Sequence, residues 1–294
     1  MILHPILPDN GPPGWVWMWI IVLSFSLIAK VQTLTRFFLS GGRASVGRLL
    51  GYIFLWPGMD APAFFAPRRP RPRLPHRSPP DTWHLTPDTP VPSLADWLLG
   101  LLKTDLGAII VWGVVPLLGP GHPLLTGWVG MWGIFLLLFG VLHLLSLFWR
   151  AIGINAKPVM QSPTCATSLT DFWSRRWNTA FSDLMHNVAF KPLAKRFGAN
   201  GALVAIFLLS GVLHDCVISV TAGGGYGLPT LYFIIQALGV LFEHSKPARK
   251  LGLGSGWKGW LFVFLIAGPP AFIHFHPIFV RNVVLPMLHA IGAR

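Results

Sequence analysis

Long apolar stretches alternate with short polar connectors along the 294 residues. A helix needs about 20 mostly apolar residues to cross the roughly 30 Å hydrocarbon core of a bilayer. Residues 14–29 form an uncharged run that ends at Lys30 and is completed by its flanks, and residues 97–118 form a second, interrupted near its start by Lys103 and Asp105. Residues 124–149 follow the neutral connector GPGHP, so these two runs predict a tight membrane hairpin. Further runs cover 201–220, 228–242, 259–275 and 277–291, with a kink expected at Pro269 and Pro270. Residues 49–56 have about half the crossing length and stop at Pro57 and Gly58, which predicts a segment that dips into the bilayer or lies on it. The pattern predicts an all-α, polytopic integral membrane protein with seven spans and about seven to nine membrane helices.

Two polar stretches interrupt this pattern. Residues 57–96 include APRRPRPRLPHRSPPD, too rich in proline and arginine for a helix or a packed core, and predict a basic, partly extended loop. Residues 168–193 are polar and aromatic. Ser168 and Asp171 have the spacing of an N-cap and its N3 partner. From there Leu169, Trp173, Trp177, Phe181 or Ala180, Leu184 and Val188 recur every three or four positions. That periodicity predicts one amphipathic helix at the membrane interface, its aromatics in acyl chains and its arginines near headgroups.

Composition agrees with the membrane assignment: 53% of residues are hydrophobic and only 11% charged, too few to cover a soluble surface. A formal charge of +13 would suggest nucleic acid in a soluble protein, but here the basic residues lie in connectors, where orientation and anionic membrane lipids account for them. The connectors after 29, around 57–96, at 150–200 and at 243–258 are basic, whereas those at 119–123, 221–227 and 268–276 carry no charged residue. The excess predicts a cytoplasmic C-terminus and an outside or lumenal N-terminus, in either a bacterial inner membrane or the endoplasmic reticulum. The N-terminus lacks the basic region of a cleavable signal, so the first run is expected to stay as a span. Cys165 and Cys216 are too few for a disulfide framework, and no Cys/His cluster has zinc spacing, so no metal is expected.

His214 and Asp215 stand inside the apolar run 201–220. His214 lies roughly 20 Å along the helix from Gly201, at a depth where polar side chains face a cavity or a partner. Ser210 is one turn earlier on the same face. Asp215 points about 100° away from His214, better placed to pair with another helix or a basic side chain than to orient the imidazole. From these features alone, a structural histidine and a functional one are both open.

Phe172-Trp173-Ser174-Arg175-Arg176-Trp177-Asn178, within SLTDFWSRRWN, is followed by Ser210-Gly211-Val212-Leu213-His214, within SGVLHD. This order resembles the membrane-bound O-acyltransferases, specifically their wax synthase-like branch, in which an aromatic motif ending in Trp-Asn precedes an intramembrane histidine. The upstream phrase LWPGMD, residues 55–60, is similar to that branch as well. The resemblance implies one acyltransferase domain over 1–294, with the basic loop 57–96 inside it, a catalytic core at 168–245, and the helices arranged around a central chamber. It implies His214 and Asn178 as catalytic residues, with Trp173, Trp177, Arg175, Arg176 and Ser210 meeting acyl-CoA or the acceptor, and Phe172 and Asp215 in support. A neutral imidazole can take the proton of an attacking hydroxyl and return one to the departing thiolate, and an amide can stabilise the oxyanion or position a reactant.

The expected reaction is esterification of a lipophilic, long-chain alcohol by acyl-CoA as co-substrate, with no cofactor. Acetylation of a terpenoid, sterol or glycan hydroxyl is the alternative within this chemistry, and a transporter or scaffold without acyl transfer is the alternative outside it. Three other features are set aside. His76 and Asp81 have H-x4-D spacing but sit in the proline-arginine run; His274 and His276 read as interfacial rather than metal-binding; and Gly223–Gly225 read as a flexible connector.

Overall fold

A computed structural model describes residues 11–66, 91–119 and 121–294, with Asn187 described by its backbone alone. Among these residues every regular element is a helix. Five helices are long and apolar enough to cross a membrane: Gly14–Leu39 (α1), Leu94–Leu117 (α4), Pro123–Ala151 (α5), Thr179–Ala222 (α7) and Gly256–His274. Two shorter apolar helices, Leu228–Glu243 (α8) and Pro277–Ala290, complete the set of seven runs read from the hydropathy pattern. Leu23, Leu27 and Ile28 on α1 and Leu98 on α4 are exposed, as lipid-facing side chains would be.

The first run does not end at Lys30. The helix continues to Leu39 because the ammonium finds partners inside the protein: Lys30 Nζ donates to the Gly58 carbonyl at 2.5 Å and lies 3.5 Å above the centre of the Tyr52 ring. The short run forms α2, Val46–Phe54, whose nine residues rise only about 14 Å and cannot cross. Residues 57–66, expected to belong to the extended basic loop, fold instead. Asp60 accepts from the Ala63 amide at 3.0 Å to start α3, Ala61–Phe65, and Phe64 packs edge-on to Trp149 with centroids 5.2 Å apart. Apolar side chains at Ala61, Phe64 and Phe65 give this piece a core to join. The rest of the proline-arginine run, His76 and Asp81 included, lies outside the described residues.

The predicted hairpin is α4 and α5. The former begins three residues earlier than the apolar run, at a capping box between Ser93 and Asp96. Small residues let the two backbones approach: a Cβ at Gly140 would stand 2.5 Å from the Thr104 amide nitrogen. The paired prolines make a turn rather than a kink, because neither can donate the hydrogen bond that would continue the helix. After the short helix α9, Lys246–Lys250, helix α10, Gly256–Ala267, stops there and α11, Ala271–His274, restarts after it. The turn carries His274 and His276 into the bundle, where they are 5% and 1% exposed; neither is interfacial. His276 accepts from the Phe279 amide at 3.2 Å, capping Pro277–Ala290, which is α12.

Candidate functional site

The segment at 168–178 is pinned at both ends. Ser168 Oγ accepts from the Asp171 amide at 2.9 Å. Glu243, 6% exposed at the end of α8, accepts from the Leu169 amide at 2.5 Å, the Thr170 amide at 3.3 Å and Thr170 Oγ1 at 2.9 Å. One carboxylate thus takes the orphan N–H groups that open the helix at 169–176 (α6). Asp171 in turn pairs with Arg176 Nε, and Arg176 Nη1 reaches the carbonyls of Gln161 (3.4 Å) and Ser162 (3.2 Å). Arg176 is therefore turned inward on protein partners, while Arg175 is exposed.

The continuous interfacial helix expected across this stretch is not what forms. Residues 172–176 make a π-helical turn, closed by the Trp177 amide donating to the Phe172 carbonyl at 2.8 Å. Trp177 is extended and Asn178 left-handed (φ 45°, ψ 61°). A new helix, α7, starts at Thr179 with Asn178 Oδ1 accepting from the Phe181 amide at 3.3 Å. Asparagine tolerates this backbone better than most residues and caps well, so one residue accounts for both the break and the restart. The motif's aromatics Phe172, Trp173 and Trp177 are half-buried and pack on neighbouring rings, and Leu169 is fully buried. Substituting Glu243→Ala should cost about 2–3 kcal/mol, because a charged acceptor of several hydrogen bonds disappears. We expect a lower thermal midpoint and faster proteolysis near 168–178; an unchanged protease pattern would remove Glu243 from the role of anchor.

Helix α7 is broken at Gly198 (φ 71°), and its second arm carries His214. Phe207, Ser210, Gly211 and Ile218 form the buried stripe of that arm, while Leu208, Leu209 and Val212 are exposed on the other side. His214 lies on the same side of the arm as this buried stripe, between Ser210 and Ile218, and is itself half-buried. Its Nδ1 lies 2.7 Å from the Ser210 carbonyl oxygen. A carbonyl can only accept, so Nδ1 carries the hydrogen and Nε2 presents a lone pair. The Ser210 hydroxyl is itself committed to the Ile206 carbonyl at 2.9 Å. Asp215 accepts from the Gly227 amide (2.8 Å), the Thr230 amide (3.1 Å), Thr230 Oγ1 and Ser219 Oγ (2.8 Å), which caps α8 and clamps it to α7.

The two motifs meet through aromatic rings. His214 packs on Phe233 with ring centroids 4.7 Å apart, Phe233 on Trp173 at 5.6 Å, Trp173 on Phe172 at 5.0 Å, and Phe172 stacks on Trp177 at 5.6 Å. A second route returns: Trp177 to Phe139 at 5.8 Å, Phe139 to Phe135 at 5.8 Å, Phe135 to Phe275 at 5.4 Å, Phe275 to His274 at 4.3 Å, and His274 to His214 at 5.0 Å. The rings form a closed circuit with His214 on one side and the Trp177–Asn178 corner on the other. Asn178 follows Trp177 in the chain, its Oδ1 bonded to the Phe181 amide, and no hydrogen bond joins it to His214 among the described residues.

Trp173 is held in the circuit by its Nε1, which donates to Gln236 Oε1 at 3.3 Å, and Gln236 donates onward to the Ile266 carbonyl at 2.7 Å. Next to Asn178 in the chain, Thr179 joins Trp56, Gly58, Met59 and Asp60 of LWPGMD, with Lys157 and Asp183, around a shallow open cleft. Among the described residues no group of three or more His, Cys, Asp or Glu side chains could hold a metal ion. Sequence reasoning missed Glu243, Gln236, Phe233 and His274. Glu243 carried a signal, as an acid at the end of an apolar run in an otherwise basic stretch, and His274 stood out with His276 but was read as interfacial.

Five helices long and apolar enough to cross a membrane define an all-helical, polytopic membrane protein, with His214 and its ring neighbours as the candidate site. Residues 156–235 match the model of the membrane bound O-acyl transferase family, and this central segment holds both Asn178 and His214. A probable long-chain-alcohol O-fatty-acyltransferase of Arabidopsis thaliana is 27% identical over 164 residues, 51% of this chain and 48% of the relative. The long-chain-alcohol O-fatty-acyltransferase of Simmondsia chinensis is 33% identical over 72 residues, 22% of this chain and 20% of that protein. An acyl-CoA–sterol O-acyltransferase of Arabidopsis thaliana is 30% identical over 71 residues, covering 22% and 21%. The matched stretches thus span at most about half the length of these relatives.

Proposed function

We propose that the protein transfers an acyl group from acyl-CoA to the hydroxyl of a lipophilic, long-chain alcohol, in the manner of a wax synthase. The observation that carries this reading is the state of His214: its Nδ1–H is spent on the Ser210 carbonyl, so Nε2 is available as a base within the segment that matches the family. In the reaction, Nε2 takes the hydroxyl proton as the alcohol oxygen attacks the thioester carbonyl. The carbonyl π electrons move to oxygen and return as the C–S bond breaks, and the proton passes from His214 to the departing thiolate. The product is an ester and free CoA, and no electrons are gained or lost.

Asn178 serves this scheme through its Nδ2 amide, since Oδ1 is used as the helix cap. The amide donates to the developing oxyanion or holds a reactant across the aromatic circuit. Arg175, exposed three residues before Asn178, is the arginine assigned to the phosphates of CoA; Arg176 holds the loop in shape. Aromatic walls suit a lipid-soluble acceptor. The sterol-acylating relative supports a second acceptor class, and the side of the membrane with the basic connectors suits the polar donor.

Purified protein incubated with radiolabelled acyl-CoA and a panel of long-chain alcohols, sterols and terpenoid alcohols should yield labelled ester with the long-chain alcohols most readily. Ester from sterols alone would move the assignment to that class. Transport of label across a vesicle membrane without any ester would replace acyl transfer by a transporter.

A further inference from the structure

His274 has no place in the reaction as described so far, and its ring packs beside that of His214. It is 5% exposed, and its ring centroid lies 5.0 Å from that of His214 and 4.8 Å from that of Tyr232. Its Nδ1 is buried without a hydrogen-bond partner among the described residues. The surrounding polar groups are not left this way. Tyr232 donates its hydroxyl hydrogen to the Ala267 carbonyl at 3.2 Å, and Gln236 is bonded at both ends. The neighbouring His276 uses Nδ1 on the Phe279 amide and brings Nε2 within 3.4 Å of Ser219 Oγ. Burying a polar nitrogen unpaired is costly, and the proline turn at 268–270 places it there beside the proposed base.

We propose that His274 is a second substrate-contacting histidine, and that it holds the acceptor hydroxyl against His214. The inference rests on the acyl-transfer reading above. Two imidazoles with centroids 5.0 Å apart can both reach one oxygen at ordinary hydrogen-bond lengths. The alcohol donates its O–H to His214 Nε2 and accepts an N–H from His274 on a free lone pair of the same oxygen. A hydroxyl so held is oriented for attack before the proton moves, and His274 keeps its own hydrogen throughout. An acceptor is thus recognised by its hydroxyl at this point and by its hydrocarbon body along Phe233, Phe275 and Tyr232.

The test compares His274→Leu with His274→Asn in the ester-forming assay, measuring KM separately for the alcohol and for acyl-CoA. Asparagine keeps an N–H near the position of Nδ1; leucine keeps bulk and no donor. The leucine variant should raise the alcohol KM about tenfold or more at unchanged acyl-CoA KM, and the asparagine variant should recover most of that loss. Wild-type kinetics in His274→Leu would overturn the proposal while leaving acyl transfer intact. Equal losses in both variants, with matching falls in thermal midpoint, would overturn it in favour of a packing role. Unaltered protein that forms no ester with any acceptor would overturn the acyl-transfer reading itself, and the role of His274 with it.

Discussion

His214→Ala should lower ester formation by about 10²–10⁴-fold, the usual worth of a positioned general base. The substitution removes the Nε2 lone pair and leaves the rest of α7 standing, since the arm is held by Asp215, which clamps α8 from the next position. Phe233 and His274 lose a neighbour, so a modest drop in thermal midpoint is expected alongside the kinetic loss. A variant that elutes as a single species in detergent, binds acyl-CoA and fails to make ester fits the base assignment. Turnover close to the unaltered protein would end it, and with it the scheme in which the hydroxyl proton leaves through the imidazole.

The second large effect belongs to Asn178, where backbone and chemistry must be separated. Alanine there would lose the cap, about 1 kcal/mol, and would force a Cβ residue into the left-handed region at about 1–2 kcal/mol more. Loss of activity in Asn178→Ala alone would therefore say little about catalysis. Asn178→Asp is the sharper probe: aspartate tolerates this backbone and caps equally well, but has no amide N–H to offer. We expect Asn178→Asp to melt near the unaltered protein and to lose about 10²–10³-fold in turnover, the cost of one oxyanion donor. If its turnover is normal, Asn178 is a hinge and a cap, and the oxyanion is stabilised elsewhere.

Much of this site was legible in the sequence because its residues break a strong background. A histidine in an apolar run and an aromatic stretch ending in Trp-Asn are visible against lipid-facing leucine and valine, and Ser168 with Asp171 announces a helix start. What stayed hidden depends on contacts between residues far apart in the chain. Lys30 looks like the end of a span until Gly58 and Tyr52 are seen to meet it. Residues 169–188 read as one amphipathic helix because periodicity counts side chains and cannot see a left-handed residue at 178. His274 and His276 look like interface residues because a double proline in an apolar run predicts a kink; only the folded turn puts them inside.

The sequence by itself determined the class of the fold, an all-helical bundle with seven apolar runs, and the two motifs at 168–178 and 210–215, since hydrophobic length and the presence of an ionisable group in lipid are properties of the chain read in order. Tertiary structure alone decided that the motifs are joined by a closed circuit of rings, that Glu243 and Asp215 tie them to α8, that Arg176 faces inward, and that His274 stands beside His214. The physical reason is that hydrogen bonds and ring contacts are satisfied by whichever partner the packing brings near, and packing between distant segments leaves no periodic trace in a linear pattern.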